Sequence, residues 1–194
     1  MSEFLLYFDL GFDHILDLNG YDHLLFIIAL CAIYVSSDWK KLLVLVTAFT
    51  IGHSLTLALS TFQLVRFDSK VIEFLIPLTI FITAFLNLFR KDRPMYERKI
   101  KFSYIIALAF GLVHGLGFSN YLRALLGKDA DIILQLFAFN VGLEIGQIII
   151  VFIFLAITFV MVDIFGVARR DWKMVISSAI AGIAIMLMLE TKFW

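Results

Sequence analysis

The sequence predicts an all-α membrane protein, a bundle of about six transmembrane helices. Three observations carry that prediction. Apolar residues make up 62% of the 194 positions, with 21 phenylalanines among them, whereas a soluble domain of this size is near half apolar. The mean hydropathy is +0.97. Charged residues are only 16% of the chain and gather between long apolar runs. A chain of this kind has lipid as its main solvent.

A spanning helix needs about 20 apolar residues. Six runs qualify: 22–37, 42–64, 71–89, 102–126, 132–163 and 173–191. The first is short. The fifth is long, and Gly142 and Gly146 mark the place where it would bend or break. Residues 1–20 combine an apolar start with Asp9, Asp13, His14 and Asp17, too short and too acidic to span. We read 1–20 as an outer acidic segment, lying at the surface or re-entering the bundle, and 21–194 as one six-helix transmembrane domain. No basic start or small-residue cleavage site suggests a signal peptide. The net charge of zero offers nothing to nucleic acid, and the single cysteine, Cys31, precludes an internal disulfide or a thiolate cluster.

Lysine and arginine set the orientation. Counting Lys173 at the very start of the sixth run, eleven of the 16 fall in the connections after the first, third and fifth runs. The densest stretch is Arg90-Lys91-Asp92-Arg93 through Arg98, Lys99 and Lys101, which reads as a cytoplasmic anchor. Both termini are therefore expected on the non-cytoplasmic side.

Against this background the ionisable residues inside the runs stand out. Each costs about 2.5–3.5 kcal/mol at membrane depth on insertion scales and faces a cavity or a partner. The four histidines are His14, His23, His53 and His114, none of them in a basic loop. At 1.5 Å per residue, His53 lies about 18 Å along its helix from Lys41, and His114 about 20 Å from Lys101. Both approach the middle of a hydrocarbon core about 30 Å thick. Asn140, Glu144 and Gln147 follow the i, i+4, i+7 spacing of one helix face, with Asn140 at about the depth of the two histidines. Nearer the outside, His14, Asp22, His23 and Glu73 form a candidate vestibule. Thr56 and Ser60 share the stripe of His53 and offer hydroxyls. Imidazole, carboxylate and amide oxygen are ligands for divalent first-row metals, and neutral imidazole, the binding form, is common near pH 7.

Plainer roles exist for several of these residues. Asp22 and Glu73 sit where an acidic residue suits a helix start, and Asn140 and Gln147 can serve as interhelical glue. The methionines are scattered and form no ladder of soft ligands. Two histidines at matched depth with a glutamate nearby favour a functional site. A short repeat points the same way. Ala48-Phe49-Thr50-Ile51-Gly52-His53-Ser54-Leu55 and Ala109-Phe110-Gly111-Leu112-Val113-His114-Gly115-Leu116 share the pattern A-F-x-(I/L)-x-H-x-L. The glycines at 111, 115 and 117 would let backbones approach around His114.

Four segments, in order, carry a family resemblance. They are Gly20-Tyr21-Asp22-His23-Leu24-Leu25-Phe26, Thr47 through Thr56, Phe110 through Phe118, and Phe139-Asn140-Val141-Gly142-Leu143-Glu144-Ile145-Gly146-Gln147. Together they resemble the HupE/UreJ family of bacterial membrane proteins over about residues 11–165. The resemblance implies a metal permease of the bacterial inner membrane. Nickel would be its cargo, with cobalt or zinc as the other metals the donors would take. The metal residues it implies are Asp22, His23, His53, His114, Asn140 and Glu144. In the family a further histidine stands upstream of the G-x-D-H motif, closer to it than His14 stands to His23, so His14 joins the set with a longer intervening loop. Glu73, Gln147 and Thr56 would lie around this path.

Two other readings fit the same residues. An intramembrane zinc hydrolase would use His53, His114 and His23 or Glu144 as ligands, with a metal-bound water in the open position. A non-transporting subunit or assembly factor would instead present its phenylalanines and N-terminal segment to a membrane partner. A homo-oligomer is compatible with all three.

Overall fold

The computed structural model describes residues 2–17, 20–65, 67–90, 100–125 and 132–194. Those residues form seven α-helices: α1 (Glu3–Leu16), α2 (Asp22–Cys31), α3 (Trp39–Thr61), α4 (Ser69–Phe89), α5 (Ile100–Leu125), α6 (Ile132–Thr158) and α7 (Arg169–Glu190). A 3-10 turn, Ser36–Asp38, leads into α3, and a π-helical turn, Phe159–Ile164, prolongs α6. Four helical stretches are long and apolar enough to cross a bilayer: Ser36–Thr61, Ser69–Phe89, Ile132–Ile164 and Arg169–Glu190. Asp22–Cys31 and Ser103–Ser119 are shorter apolar helical stretches. The six runs therefore match α2 to α7. The basic stretch at 91–99 lies outside the described residues.

Two features depart from expectation. Residues 3–16 form a capped helix, with the Ser2 hydroxyl accepting from the Leu5 amide. The first apolar run is helical only to Cys31 and then turns irregularly through Ala32–Val35. Near the end of α2, Asn87 of α4 donates to the Ala29 carbonyl at 2.7 Å. That bond satisfies one of the last carbonyls a short helix leaves open.

The helices pack chiefly as three pairs, α3 with α5, α1 with α6, and α4 with α7, with α2 against α4, α6 and α7. The α3–α5 pair runs parallel at backbone contact. Gly52 faces the Leu108 carbonyl, Gly111 the Phe49 carbonyl, and Gly115 the His53 carbonyl and the Thr56 hydroxyl. A Cβ at any of them would overlap the neighbouring backbone. Gly117 instead faces Ile76 of α4. Farther along, Ser60 and Ser119 link the same pair, hydroxyl to hydroxyl, at 2.8 Å.

Gly142 and Gly146 act in the same way, which corrects the expectation of a break. α6 continues through both as a regular helix and departs from α geometry only at Phe159. Gly142 admits the Phe8 carbonyl and Gly146 the Ile15 side chain, while Gly11 of α1 meets the Phe139 carbonyl. Both positions meet a requirement for close approach by α1. At one end of this pair Gln135 donates to Glu3. Phe193 and Trp194, beyond α7, pack on Phe74 near the start of α4.

A bulkier residue at a contact glycine should destabilise the bundle while one at an open glycine should not. Overpacking costs about 1–3 kcal/mol. Gly111→Val should lower the thermal midpoint of the detergent-purified protein. Gly182→Val, where nothing lies within 4 Å of an added Cβ, should match wild type. Equal midpoints for the two variants would contradict the packing described.

Candidate metal centre

Four helices each contribute one imidazole to a cluster centred on His23. His14 comes from the last turn of α1, His23 from the first turn of α2, His53 from the middle of α3 and His114 from the middle of α5. Ring centroids are 4.7 Å apart for His14–His23, 5.2 Å for His23–His114, 5.9 Å for His23–His53 and 6.3 Å for His14–His53. In His14, His23 and His53, one ligand-capable nitrogen each lies within 4.8 Å of the others. His53 and His114 are fully buried, and His23 nearly so.

Hydrogen bonds fix the free nitrogen on two of these rings. The Phe110 carbonyl lies 2.9 Å from His114 Nδ1. A carbonyl only accepts, so Nδ1 carries the proton and Nε2 the lone pair. His23 Nδ1 donates to Asp22 Oδ1 at 3.0 Å, and the same oxygen accepts the His23 backbone amide at 2.9 Å. That is the carboxylate–imidazole arrangement that fixes the tautomer and orientation of a ligating histidine. Nε2 of His14, His23 and His114, and both ring nitrogens of His53, are buried without a hydrogen-bond partner among the described residues. Buried polar atoms are paired in the large majority of cases, so this concentration of open nitrogens is the chemical signature of the site.

Phenylalanine forms the wall. Phe118 lies 3.9 Å from His14, centroid to centroid, and stacks on Phe139 at 5.1 Å. Phe139 also flanks His53. Phe49 lies against His23, His53 and His114, and Phe26 against His114. Sequence reading passed over these four rings. The signal was present as aromatic–histidine pairs at helical spacing: Phe49 with His53, His114 with Phe118, and His23 with Phe26.

The longer spacing to His14 does not keep it away, since the end of α1 brings its ring against His23. Asp22 faces two ways. It holds His23, and with Tyr21, Glu73, Pro77 and Thr191 it lines a pocket of about 230 Å³ between the start of α2, α4 and the end of α7. Pro77 has no amide hydrogen, so the Glu73 carbonyl loses its helical partner beside that pocket.

Asn140 and Glu144 do not join the imidazoles. They line a separate cavity of about 430 Å³ between α3 and α6, with Thr47, Thr50 and Ser54. Glu144 accepts from Thr47 at 2.7 Å, and Gln147 accepts from Thr50 at 2.8 Å. The stripe of 140, 144 and 147 is real, but it faces α3. Successive helical residues turn by about 100°, so Phe139 looks into the cluster and Asn140 away from it. Thr56 is likewise turned from the rings, bonding the Gly52 carbonyl at 3.2 Å.

The profile of the HupE / UreJ protein family matches residues 1–192. The chain belongs to the HupE/UreJ family. It is a multi-pass membrane protein of a family related to nickel and cobalt transport. No curated protein and no solved structure matches it. Within this HupE/UreJ chain, three of the four recognised segments, those with His23, His53 and His114, meet at the imidazole cluster. The fourth, with Asn140 and Glu144, brings Phe139 to the cluster wall and turns its polar residues to the groove.

The wall predicts chemical protection. Diethylpyrocarbonate should leave His53 and His114 unmodified in the folded protein. Phe118→Ala should raise the rate at His14 severalfold, read by peptide mass spectrometry. An unchanged rate would show that Phe118 does not shield that ring.

Proposed function

We propose that this HupE/UreJ protein carries a divalent transition-metal ion, nickel first and cobalt next, across the bacterial inner membrane, with the imidazole cluster as its central binding site. The observation that supports this best is that imidazoles from four helices lie side by side, each with a buried ring nitrogen that has no hydrogen-bond partner among the described residues, and that three of them, His14, His23 and His53, bring such nitrogens within 4.8 Å of one another. Imidazole nitrogen suits nickel, cobalt and zinc alike, so the donors define a class of metal and the family points to nickel within it.

The route begins at the Asp22–Glu73 pocket, on the side of the termini, which we assign to the non-cytoplasmic face from the lysine and arginine distribution. Two carboxylates there attract a hydrated cation. Asp22 then links the pocket to the cluster, because the residue that lines the first also orients His23 in the second. His14, His23, His53 and His114 replace the water of the ion. We leave Asn140 and Glu144 outside this ligand set, since they line a different cavity. Inward movement of two charges down the membrane potential releases about 4.6 kcal/mol per 100 mV, which would drive uptake with cytoplasmic capture.

The hydrolase reading requires metal ligands and a lipid-accessible cleft in one place. Here the laterally open groove has no imidazole among its lining residues, and phenylalanines surround the imidazoles. That arrangement favours carriage over hydrolysis.

Cells expressing wild type should accumulate nickel or cobalt above empty vector, and His53→Ala or His114→Ala should bring accumulation to the vector level. Equal accumulation in all three proteins would remove the cluster from the mechanism. Asp22→Ala leaves the rings but takes away the group that orients His23. It should weaken metal binding to the purified protein by about 10–100-fold, the usual loss for such a partner. Unchanged affinity would deny Asp22 that role.

A further inference from the structure

The groove between α3 and α6 has a chemistry opposite to that of the cluster. Its polar lining comes from Thr47, Thr50, Ser54, Asn140 and Glu144, which present oxygen. Most of the hydrogens these groups can donate are already engaged. The Thr47 hydroxyl donates to Glu144, the Ser54 hydroxyl to the Thr50 carbonyl at 2.7 Å, and the Thr50 hydroxyl to Gln147 or the Val46 carbonyl. Asn140 gives an amide hydrogen to the Leu136 carbonyl at 2.7 Å, leaving its Oδ1 buried and without a hydrogen-bond partner among the described residues. What remains is a surplus of lone pairs and one carboxylate.

No cation among the described residues pairs with them. Among the described residues no lysine, arginine or histidine forms an ion pair with Glu144, and it is the one ionisable residue in the groove lining. The apolar part of the lining is Ile51, Leu55, Phe137 and Val141, the first three more than half exposed on the outside of the bundle. Glu144 lies about 18 Å along α6 from Ile132 and Thr47 about 12 Å along α3 from Trp39, so the groove sits well within the length of both helices. Hydrocarbon beside the rim offers these acceptors nothing, and unsatisfied polar groups there cost several kcal/mol each.

We propose that this groove is a second cation site and that it binds sodium. Hydroxyl, amide and carboxylate oxygens select hard cations, as imidazole selects transition metals. A single carboxylate matches a single positive charge. The carboxylate of Glu144 and Oδ1 of Asn140 are the principal donors, with the hydroxyl lone pairs of Thr47 and Ser54 completing the shell. The site stands apart from the imidazole cluster and does not depend on which metal the cluster takes.

Binding of radioactive sodium to the full-length purified protein tests this, with choline chloride holding ionic strength constant. Wild type should bind sodium saturably. Glu144→Gln should weaken binding at least tenfold and Thr47→Val severalfold, each in protein that elutes as a single species. Potassium should compete poorly. The doubly substituted His53→Ala, His114→Ala protein should bind sodium as wild type does, which separates this inference from the metal reading. No saturable binding in wild type, or wild-type affinity in a folded Glu144→Gln or Thr47→Val protein, would overturn it.

Discussion

The arrangement of the site depends on backbone contact between α3 and α5. Gly52, Gly111 and Gly115 remove the side chains that would hold these helices at ordinary separation. Lipid gives apolar helices no reason to prefer one another over acyl chains, so association in a membrane relies on close van der Waals packing at small residues. The consequence for chemistry is direct. His53 and His114 lie within or beside the same glycine seam, and the seam sets how near their rings can come. The second glycine contact, α1 on α6, does the same for His14 and for the Phe139 wall.

Much of this was legible in the chain. Six apolar runs became six helices, because length and hydropathy are sufficient where lipid is the solvent. The histidines could be placed at matched depth from their distance to flanking lysines. What periodicity could not supply was the identity of each helix's neighbour. Gly142 and Gly146 read as a break because their partner, α1, was not yet known to be a helix. Residues 3–16 carry too many acids to look like a buried element. Yet Gly11, Phe8 and Ile15 meet α6, while Asp9 and Asp13 stay exposed. Asn140 and Glu144 were correctly seen as one stripe. Which of its two neighbouring spaces the stripe faced was a matter of helix rotation, and sequence spacing carries no information about that.

α3 and α6 are walls shared by two proposed sites of contrasting donor character. One side of α3 offers His53 to nitrogen-rich company, and the other offers Thr47 and Ser54 to the oxygen-lined groove. α6 divides the same way, with Phe139 on one side and Glu144 on the other. Any rotation of either helix moves both sites at once. The π-helical turn at Phe159–Ile164 falls on the α6 wall beyond both of them.

The cluster takes its rings from elements that otherwise pack in different partnerships: α1 with α6, α3 with α5, and α2 among the rest. On the proposed reading, an ion held by these rings would be a cross-link as well as a passenger. It would tie the N-terminal helix to the glycine seam beside the phenylalanine wall. Mass action makes such a tie a source of resistance to unfolding that grows with free ion concentration. If the proposed site holds, a cell short of the metal would have a looser and more protease-sensitive protein, so supply of the ion would also govern how long the protein lasts.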